Sequence, residues 1–374
     1  MYRIFQGVMA RTIKLTRPRK LMSTALAMQK AAMKSLIPAR KKKAAATIAA
    51  PLPAKPRAPL GETVRRIGAG GMPARKPMKA VKTALPPGAT FKAGQFAVPE
   101  GNRAYKLYRP ALAAQAGKAM PLVVMLHGCT QTLDDFATGT GMNRLADELG
   151  FLVVYPAQNA VANGKKCWNW FQPSDQMRDA GEPELIAGIT RQVMRGNNVD
   201  PSRVYVAGLS AGGAAAAIIA SAYPDIFAAA GVHSGLPIGA AQNAVVALMV
   251  MQAGSLGVRQ SVPMPTIIFH GDADTTVHPS NGRAIADRAA ATFSDLSQVV
   301  KNGRTDAQKY TRTSHRAGNR KSFCEHWVIE GAGHAWSGGN PAGSFAEASG
   351  PDASREMLRF FLQHRLQAPV DAII

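Results

Sequence analysis

Residues Arg203–Gly213, RVYVAGLSAGG, hold the strongest structural signal in this sequence. The first five of them, RVYVA, predict a strand buried in a sheet. Gly208 and Gly212 flank Ser210 in a G-x-S-x-G pattern, which is typical of a tight turn from a strand into a helix. The Ala-rich segment Gly213–Ala222 predicts that helix. Because glycine has no Cβ to clash in such a turn, Ser210 is expected to project above the sheet.

Further apolar runs lie on both sides of this turn and alternate with segments of helical periodicity. The expected strands are Thr90–Val98, Tyr105–Tyr108, Pro121–Leu126, Phe151–Tyr155, Phe227–Val232, Thr266–Phe269 and His326–Ile329. The expected helices are Met142–Leu149, Glu184–Arg195 and Ala353–His364, with a small helical cover at Ala240–Met251. This alternation indicates an α/β fold with a mostly parallel central sheet and helices on both faces. Nothing divides residues 90–374, so we expect one domain there.

The positive charge of the chain is concentrated in its first 90 residues. Of the 45 Lys and Arg residues, 20 lie in this stretch beside a single acid, Glu62. That leaves 25 basic and 22 acidic residues for 91–374, so the net charge of +22 does not indicate a specific nucleic-acid partner. We expect residues 1–89 to form a basic, largely disordered tail with an amphipathic helix at 20–37. Such a tail can attach to an anionic surface.

A serine becomes a nucleophile when a base and an orienting acid accompany it. His334 is the favoured base because it lies in a glycine-rich loop after the last strand. The acid is expected after the Thr266–Phe269 strand, where Asp274 lies deeper in the loop than Asp272. We expect Asp272 to shape the turn. The other histidines are expected to shape loops (His127 and His270), to pack (His233 and His326) or to lie at the surface (His278, His315 and His364).

An acyl-transfer site also needs N–H donors for the oxyanion. We expect them to be the backbone N–H groups of Ala211 and Cys129. Cys129 and Cys167 follow neighbouring strands, so both loops leave the same edge of the sheet. A disulfide between them is expected in an oxidising compartment, and two reduced, buried thiols are the alternative. Cys324 stays single in either case, and no spacing of metal ligands indicates a metal site or a cofactor.

Five motifs together resemble the polyhydroxybutyrate depolymerase family of esterases, which is similar to feruloyl and acetylxylan esterases. They are LHGCTQ (126–131), CWNWF (167–171), GLSAGG (208–213), HGDADTTV (270–277) and GAGHAWSGG (331–339). The resemblance covers about residues 90–365. It implies the α/β-hydrolase fold and a catalytic triad of Ser210, Asp274 and His334.

The resemblance implies a serine esterase that hydrolyses short-chain polyhydroxyalkanoate, above all poly(3-hydroxybutyrate) or its oligomers, through an acyl-enzyme. A feruloyl or acetylxylan esterase is the alternative, and a granule- or surface-binding protein that uses its basic tail is another. Trp168, Trp170 and Trp336 are expected to flank the ester substrate, although packing is the alternative for the first two.

Members of this family are largely exported, which implies an extracellular protein. The stretch Leu21–Met28 is short for the apolar core of a secretion signal and contains Ser23 and Thr24. An intracellular, granule-associated location is therefore the alternative.

Overall fold

The computed structural model describes residues 85–98, 101–114, 117–255, 263–318 and 321–367. The tail expected at residues 1–89, with its helix at 20–37, lies outside the described residues except for 85–89. The short apolar stretch Leu21–Met28 lies outside them as well.

A ten-stranded sheet forms the centre of the described residues. Its strands are β1 (Thr90–Val98), β2 (Gly101–Arg109), β3 (Met120–Leu126), β4 (Leu152–Pro156), β5 (Val199–Leu209), β6 (Ala229–His233), β7 (Thr266–Gly271), β8 (Ser297–Arg304), β9 (Lys309–Ala317) and β10 (Lys321–Ile329). They lie in the order β1-β2-β4-β3-β5-β6-β7-β10-β9-β8. The six central strands, from β4 to β10, run parallel, and antiparallel strands flank them on both sides.

The helices cover both faces of this sheet. They are α1 (Leu133–Thr140), α2 (Met142–Leu149), α3 (Gly181–Gly196), α4 (Ala211–Ala222), α5 (Ala244–Ala253), α6 (Ser280–Ala291) and α7 (Ala353–Phe361). A two-residue pair, β11 (Trp336–Ser337) and β12 (Ala346–Glu347), forms a separate small sheet. The expected α/β fold with a mostly parallel sheet is confirmed.

Strand β3 explains why the central strands are apolar on both sides. All seven of its residues are buried. Leu122 and Val124 belong to the core beneath α3 and α4, whereas Val123 and Met125 belong to the core beneath α1, α2 and α7. Side chains alternate between the two faces of a strand, so a strand covered by helices on both sides must be apolar at every position.

Two helices, α1 and α6, and the hairpin of β8 and β9 were not predicted from the sequence. One surface assignment was also wrong. His364 is buried at 1% exposure, and its Nε2 lies 2.8 Å from the carbonyl oxygen of Ser322. It follows the last turn of α7 and packs on Phe360, because the chain turns back onto the core there.

Candidate active site

Ser210, the expected nucleophile, lies in the sharp turn between β5 and α4. Its backbone has a φ of 58° and a ψ of −120°, a conformation that is strained for a residue with a Cβ. A Cβ at Gly212 would lie 2.1 Å from the carbonyl oxygen of Leu126, and one at Gly208 would lie 2.3 Å from that of Gly212. Only glycine fits at these two positions, and the turn therefore packs directly against the end of β3.

Asp274 lies in the loop after β7, and its carboxylate is fully buried. Its Oδ1 accepts hydrogen bonds from the backbone N–H groups of Thr276 (2.9 Å) and Val277 (2.8 Å). Its Oδ2 lies 2.7 Å from Nδ1 of His334. Because a carboxylate only accepts, Nδ1 donates, and in the neutral imidazole Nε2 keeps a lone pair. Within the described residues, the Ser210 hydroxyl makes no hydrogen bond to His334.

A second imidazole faces the same carboxylate. Nε2 of His270 lies 3.0 Å from the carbonyl oxygen of Val277 and 3.4 Å from Oδ2 of Asp274. Both partners are acceptors, so Nε2 carries the proton. Burial raises the pKa of Asp274, but the hydrogen bonds from His270 and His334 outweigh it and hold that pKa well below its usual range. Asp274 is therefore ionised at neutral pH, where it accepts the hydrogen bond that orients His334.

Asp272 makes a different contact from Asp274. Its Oδ1 accepts a hydrogen bond from the backbone N–H of Gly331, at 2.6 Å. This bond ties the loop after β7 to the start of the loop that carries His334. A turn-shaping role was the one predicted for Asp272 from the sequence.

His233, at the end of β6, connects the serine turn to the histidine loop. Its carbonyl oxygen accepts from Ser210 N at 2.8 Å, and its Nε2 accepts from Ser337 N at 3.0 Å. The ring stacks on Phe269 and on Trp336. Burial lowers the pKa of His233 to about 3, so the ring is neutral and Nε2 can accept. The carboxyl ends of the central strands thus bring the two loops together.

The two expected oxyanion donors lie on adjacent pieces of backbone. Ala211 is the first residue of α4, where a helix leaves its N–H groups unpaired. Within the described part of the chain, neither its N–H nor that of Cys129 donates to a protein acceptor. A Cβ at Gly128 would lie 3.6 Å from the carbonyl oxygen of Leu209. The loop after β3 therefore lies against the serine turn.

A disulfide joins Cys129 to Cys167, whose Cα atoms lie 4.2 Å apart. Beside it, Thr130 N donates to the carbonyl oxygen of Lys165 at 2.7 Å. Cys324 is a free, buried thiol. The loop that carries the Cys129 N–H is thus fastened to the long loop after β4.

The three tryptophans that we expected to contact substrate are buried instead. Trp168, Trp170 and Trp336 are all exposed by 4% or less. Nε1 of Trp168 donates to the carbonyl oxygen of His127 at 3.0 Å, and Nε1 of Trp336 donates to Oγ of Ser354 at 3.0 Å. Packed rings of this kind, two of them with a paired N–H, stabilise the loops and offer little surface to a ligand. The structure therefore corrects this expectation in favour of packing.

The described residues hold neither a metal-binding cluster nor a membrane-spanning helix. They contain no group of three or more His, Cys, Asp or Glu residues placed to hold a metal ion. In the same part of the chain, no helix has both the length and the apolar character needed to cross a bilayer.

The architecture and the motifs agree with a known protein family. A family model described as esterase PHB depolymerase matches residues 103–317, which is more than half of the chain. The chain belongs to this PHB depolymerase family of esterases.

Within and around this esterase family, the chain is similar to enzymes with several named substrates. It is 33% identical over 228 residues to poly(3-hydroxyalkanoate) depolymerase C of Paucimonas lemoignei, covering 57% of this chain and 54% of that one. It is 30% identical over 203 residues to the probable acetylxylan esterase A of Aspergillus fumigatus (49% and 53%) and 34% identical over 116 residues to feruloyl esterase B of Neurospora crassa (31% and 39%). The chain spans about half the length of the first two of these relatives and less of the third.

Solved structures of esterases show the same fold. The acetyl xylan esterase from Aspergillus awamori superposes with a TM-score of 0.55 at 20% sequence identity, covering 73% of this chain and 99% of that one. At this identity the likeness concerns the fold alone. Together with the strand order, it identifies the α/β-hydrolase fold.

Proposed function

We propose that this protein is a serine esterase that hydrolyses carboxylic esters through an acyl-enzyme on Ser210. The observation that carries the proposal is the hydrogen bond between Asp274 and His334, made beside a strained serine turn in a chain of an esterase family. A buried, ionised carboxylate that fixes the tautomer of an imidazole is the arrangement that makes a serine nucleophilic.

In the proposed reaction, Oγ of Ser210 attacks the ester carbonyl carbon and its proton passes to Nε2 of His334. The resulting imidazolium is stabilised by the Asp274 carboxylate. The N–H groups of Ala211 and Cys129 donate to the oxyanion of the tetrahedral intermediate. His334 then returns the proton to the departing alcohol, which leaves the acyl group on the serine. A water molecule, deprotonated by His334, releases the acid by the same steps in reverse.

The substrate that we propose is a short-chain polyhydroxyalkanoate, poly(3-hydroxybutyrate) or its oligomers. The family description and the poly(3-hydroxyalkanoate) depolymerase relative support this choice. Acetylated xylan is the second candidate. It is favoured by the acetylxylan esterase relatives. A feruloyl ester is the third, named by feruloyl esterase B relatives.

The proposed site of action is extracellular. The disulfide between Cys129 and Cys167 supports it, because disulfides persist in oxidising compartments and are rare in the cytosol. The intracellular, granule-associated alternative, in which the basic tail binds a surface, rests on residues outside the described ones.

One substrate panel tests the activity and ranks the substrates. We expect the full chain to hydrolyse p-nitrophenyl butyrate, and we expect 3-hydroxybutyrate oligomers to give a higher kcat/KM than acetylated xylo-oligosaccharides or methyl ferulate. The Ser210→Ala variant should lose about 10⁶-fold in kcat. Activity that survives this variant would overturn the proposed nucleophile, and a preference for acetylated xylan or ferulate would overturn the proposed substrate.

A further inference from the structure

The buried carboxylate of Glu182 holds together the two ends of a segment that contacts the loop of Cys129. We call residues 127–131 the oxyanion loop and residues 158–169 the bracing segment. Four contacts join the two: the disulfide of Cys129 with Cys167, and hydrogen bonds from Thr130 N to Lys165 O (2.7 Å), from Gln158 N to His127 Nε2 (3.0 Å) and from Trp168 Nε1 to His127 O (3.0 Å).

Glu182 joins the two ends of the bracing segment. It lies in the first turn of α3, and its side chain is buried. Its Oε2 accepts from the backbone N–H of Asn169 at 2.7 Å, and its Oε1 accepts from Nδ2 of Asn169 at 3.0 Å. Oε1 also accepts from Nε2 of Gln158. Since Gln158 begins the segment and Asn169 ends it, the Glu182 carboxylate holds the two ends of the segment together.

The surroundings of Glu182 make this anchor rigid. Gln158 Nε2 also donates to the carbonyl oxygen of Cys167 at 2.9 Å, so the anchor extends to the disulfide itself. A guanidinium nitrogen of Arg103, which is also buried, lies 3.8 Å from Oε1 of Glu182. Oδ1 of Asp175 accepts from Glu182 N at 2.7 Å and fixes the backbone beneath the side chain. Removal of a charge that several buried donors share leaves those donors unpaired.

We propose that Glu182 is a positioning residue for ester hydrolysis: by closing the bracing segment, it holds the Cys129 N–H where the oxyanion forms. This inference rests on the proposed function. Glu182 touches no reacting atom, and its effect passes through Gln158, Cys167 and the disulfide to the oxyanion loop. A donor displaced by a fraction of an ångström binds the oxyanion poorly but hardly affects the ground-state ester.

The test compares Glu182→Gln with Glu184→Gln in the full chain. Glutamine has the size of glutamate, but its amide turns one acceptor into a donor that opposes the donors of Asn169 or Gln158. We expect kcat on a soluble ester to fall about 10- to 100-fold with KM changed by less than about threefold. Glu184 lies two residues further in the same helix and, within the described residues, makes no side-chain hydrogen bond or ion pair. Its variant should retain the wild-type kcat.

A second measurement reports how firmly the bracing segment is held, and it does so independently of catalysis. Mass spectrometry of alkylated protein gives the rate at which dithiothreitol reduces the Cys129–Cys167 disulfide. We expect faster reduction in Glu182→Gln than in the wild type, because a loosened segment lets the attacking thiolate reach the sulfurs. If Glu182→Gln does not fold, Gln158→Met removes the same contact from the other side and should lower kcat and speed reduction likewise.

The two readouts separate the possible failures. A folded Glu182→Gln variant with wild-type kcat, or with a lowered kcat but an unchanged reduction rate, overturns the positioning role. If the wild type hydrolyses no ester at all, it is the proposed function that fails. In that case, faster reduction in the variant still supports Glu182 as the anchor of the segment, and unchanged reduction rejects it.

Discussion

At the scale of single residues, Asp274 and Asp272 differ in what their carboxylates accept. Asp274 binds the imidazole of His334, whereas Asp272 binds a backbone N–H of Gly331. An asparagine in place of Asp272 can still accept that N–H through its carbonyl oxygen. An asparagine in place of Asp274 loses the negative charge and can present an N–H to Nδ1, which favours the wrong tautomer.

We therefore expect Asp274→Asn to lower kcat by about 10⁴-fold, and Asp272→Asn, which loses about 1 kcal/mol of hydrogen bonding, by no more than about tenfold. Steady-state kinetics on p-nitrophenyl butyrate measure both, and circular dichroism checks that each variant is folded. The assignment of the acid is wrong if Asp272→Asn is the more damaging change.

At this scale, the sequence predicts the position of a site residue when that position follows from its neighbours in the chain. The G-x-S-x-G pattern placed Ser210 in its turn, and the loop positions of Asp274 and His334 placed them at one sheet edge. The contact of His270 with Asp274 and the burial of Trp336 could not be read in this way. Both depend on how the loop after β7 and the loop after β10 pack, which no local spacing encodes.

At the scale of elements, the disulfide of Cys129 with Cys167 closes a sequence separation of 38 residues that includes α1, α2 and β4. The chain-entropy estimate for such a loop is about 3–4 kcal/mol. We expect the Cys129→Ser, Cys167→Ser double variant to lose a free energy of unfolding of this order and, in addition, part of its kcat. Urea denaturation and ester kinetics measure the two losses.

A thiol control separates this effect from general damage to the core. Cys324→Ala removes the remaining, buried thiol and leaves the loop intact. Its stability in urea should still fall on addition of reductant, as that of the wild type does, whereas the double variant should no longer respond. A double variant as stable as the wild type would refute the bracing role of the disulfide.

The elements that the sequence analysis found and missed differ in their burial. The buried strand β3 is a continuous apolar run and helix α2 is amphipathic, and both were predicted to within one residue. Strands β8 and β9, the last two at one end of the sheet, are polar and mostly half-buried or exposed. They carry cations directly opposite each other, such as Lys301 facing Arg312. Their pairing comes from extension of the sheet beyond β10, so their own residues hold little strand signal.

At the scale of the whole molecule, buried neutral histidines make stability depend on pH. Burial lowers the pKa of His127, His326 and His364 to about 4 and that of His233 to about 3. Each binds a proton on unfolding when the pH lies below its unfolded value of about 6.5. Burial and the negative charge of nearby Asp175 both raise the pKa of Glu182 to about 7, so below that pH its carboxylate takes up a proton in the folded state and offsets one histidine.

A net uptake of about three protons makes the free energy of unfolding fall by about 4 kcal/mol per pH unit between pH 6 and 4.5. The loss between pH 6 and 4.5 is then about 6 kcal/mol, which is enough to unfold a domain at the lower end of the ordinary stability range of about 5–15 kcal/mol. Urea titrations at several pH values measure the slope. His364→Gln should reduce it by about one proton, and a flat stability profile over this pH range would contradict the role of the buried histidines.

His233 has a consequence for how such enzymes diversify. Its carbonyl oxygen is bound to the serine turn and its ring nitrogen to Ser337, so two loops that are far apart in the sequence share one support. Ser337 contributes a backbone N–H, which every residue except proline can offer, so a change of side chain at position 337 keeps this contact. A change of His233 removes the ring acceptor and withdraws the support of the histidine loop, residues 331–339, right beside the serine turn. The histidine loop can therefore vary in sequence over a support that cannot.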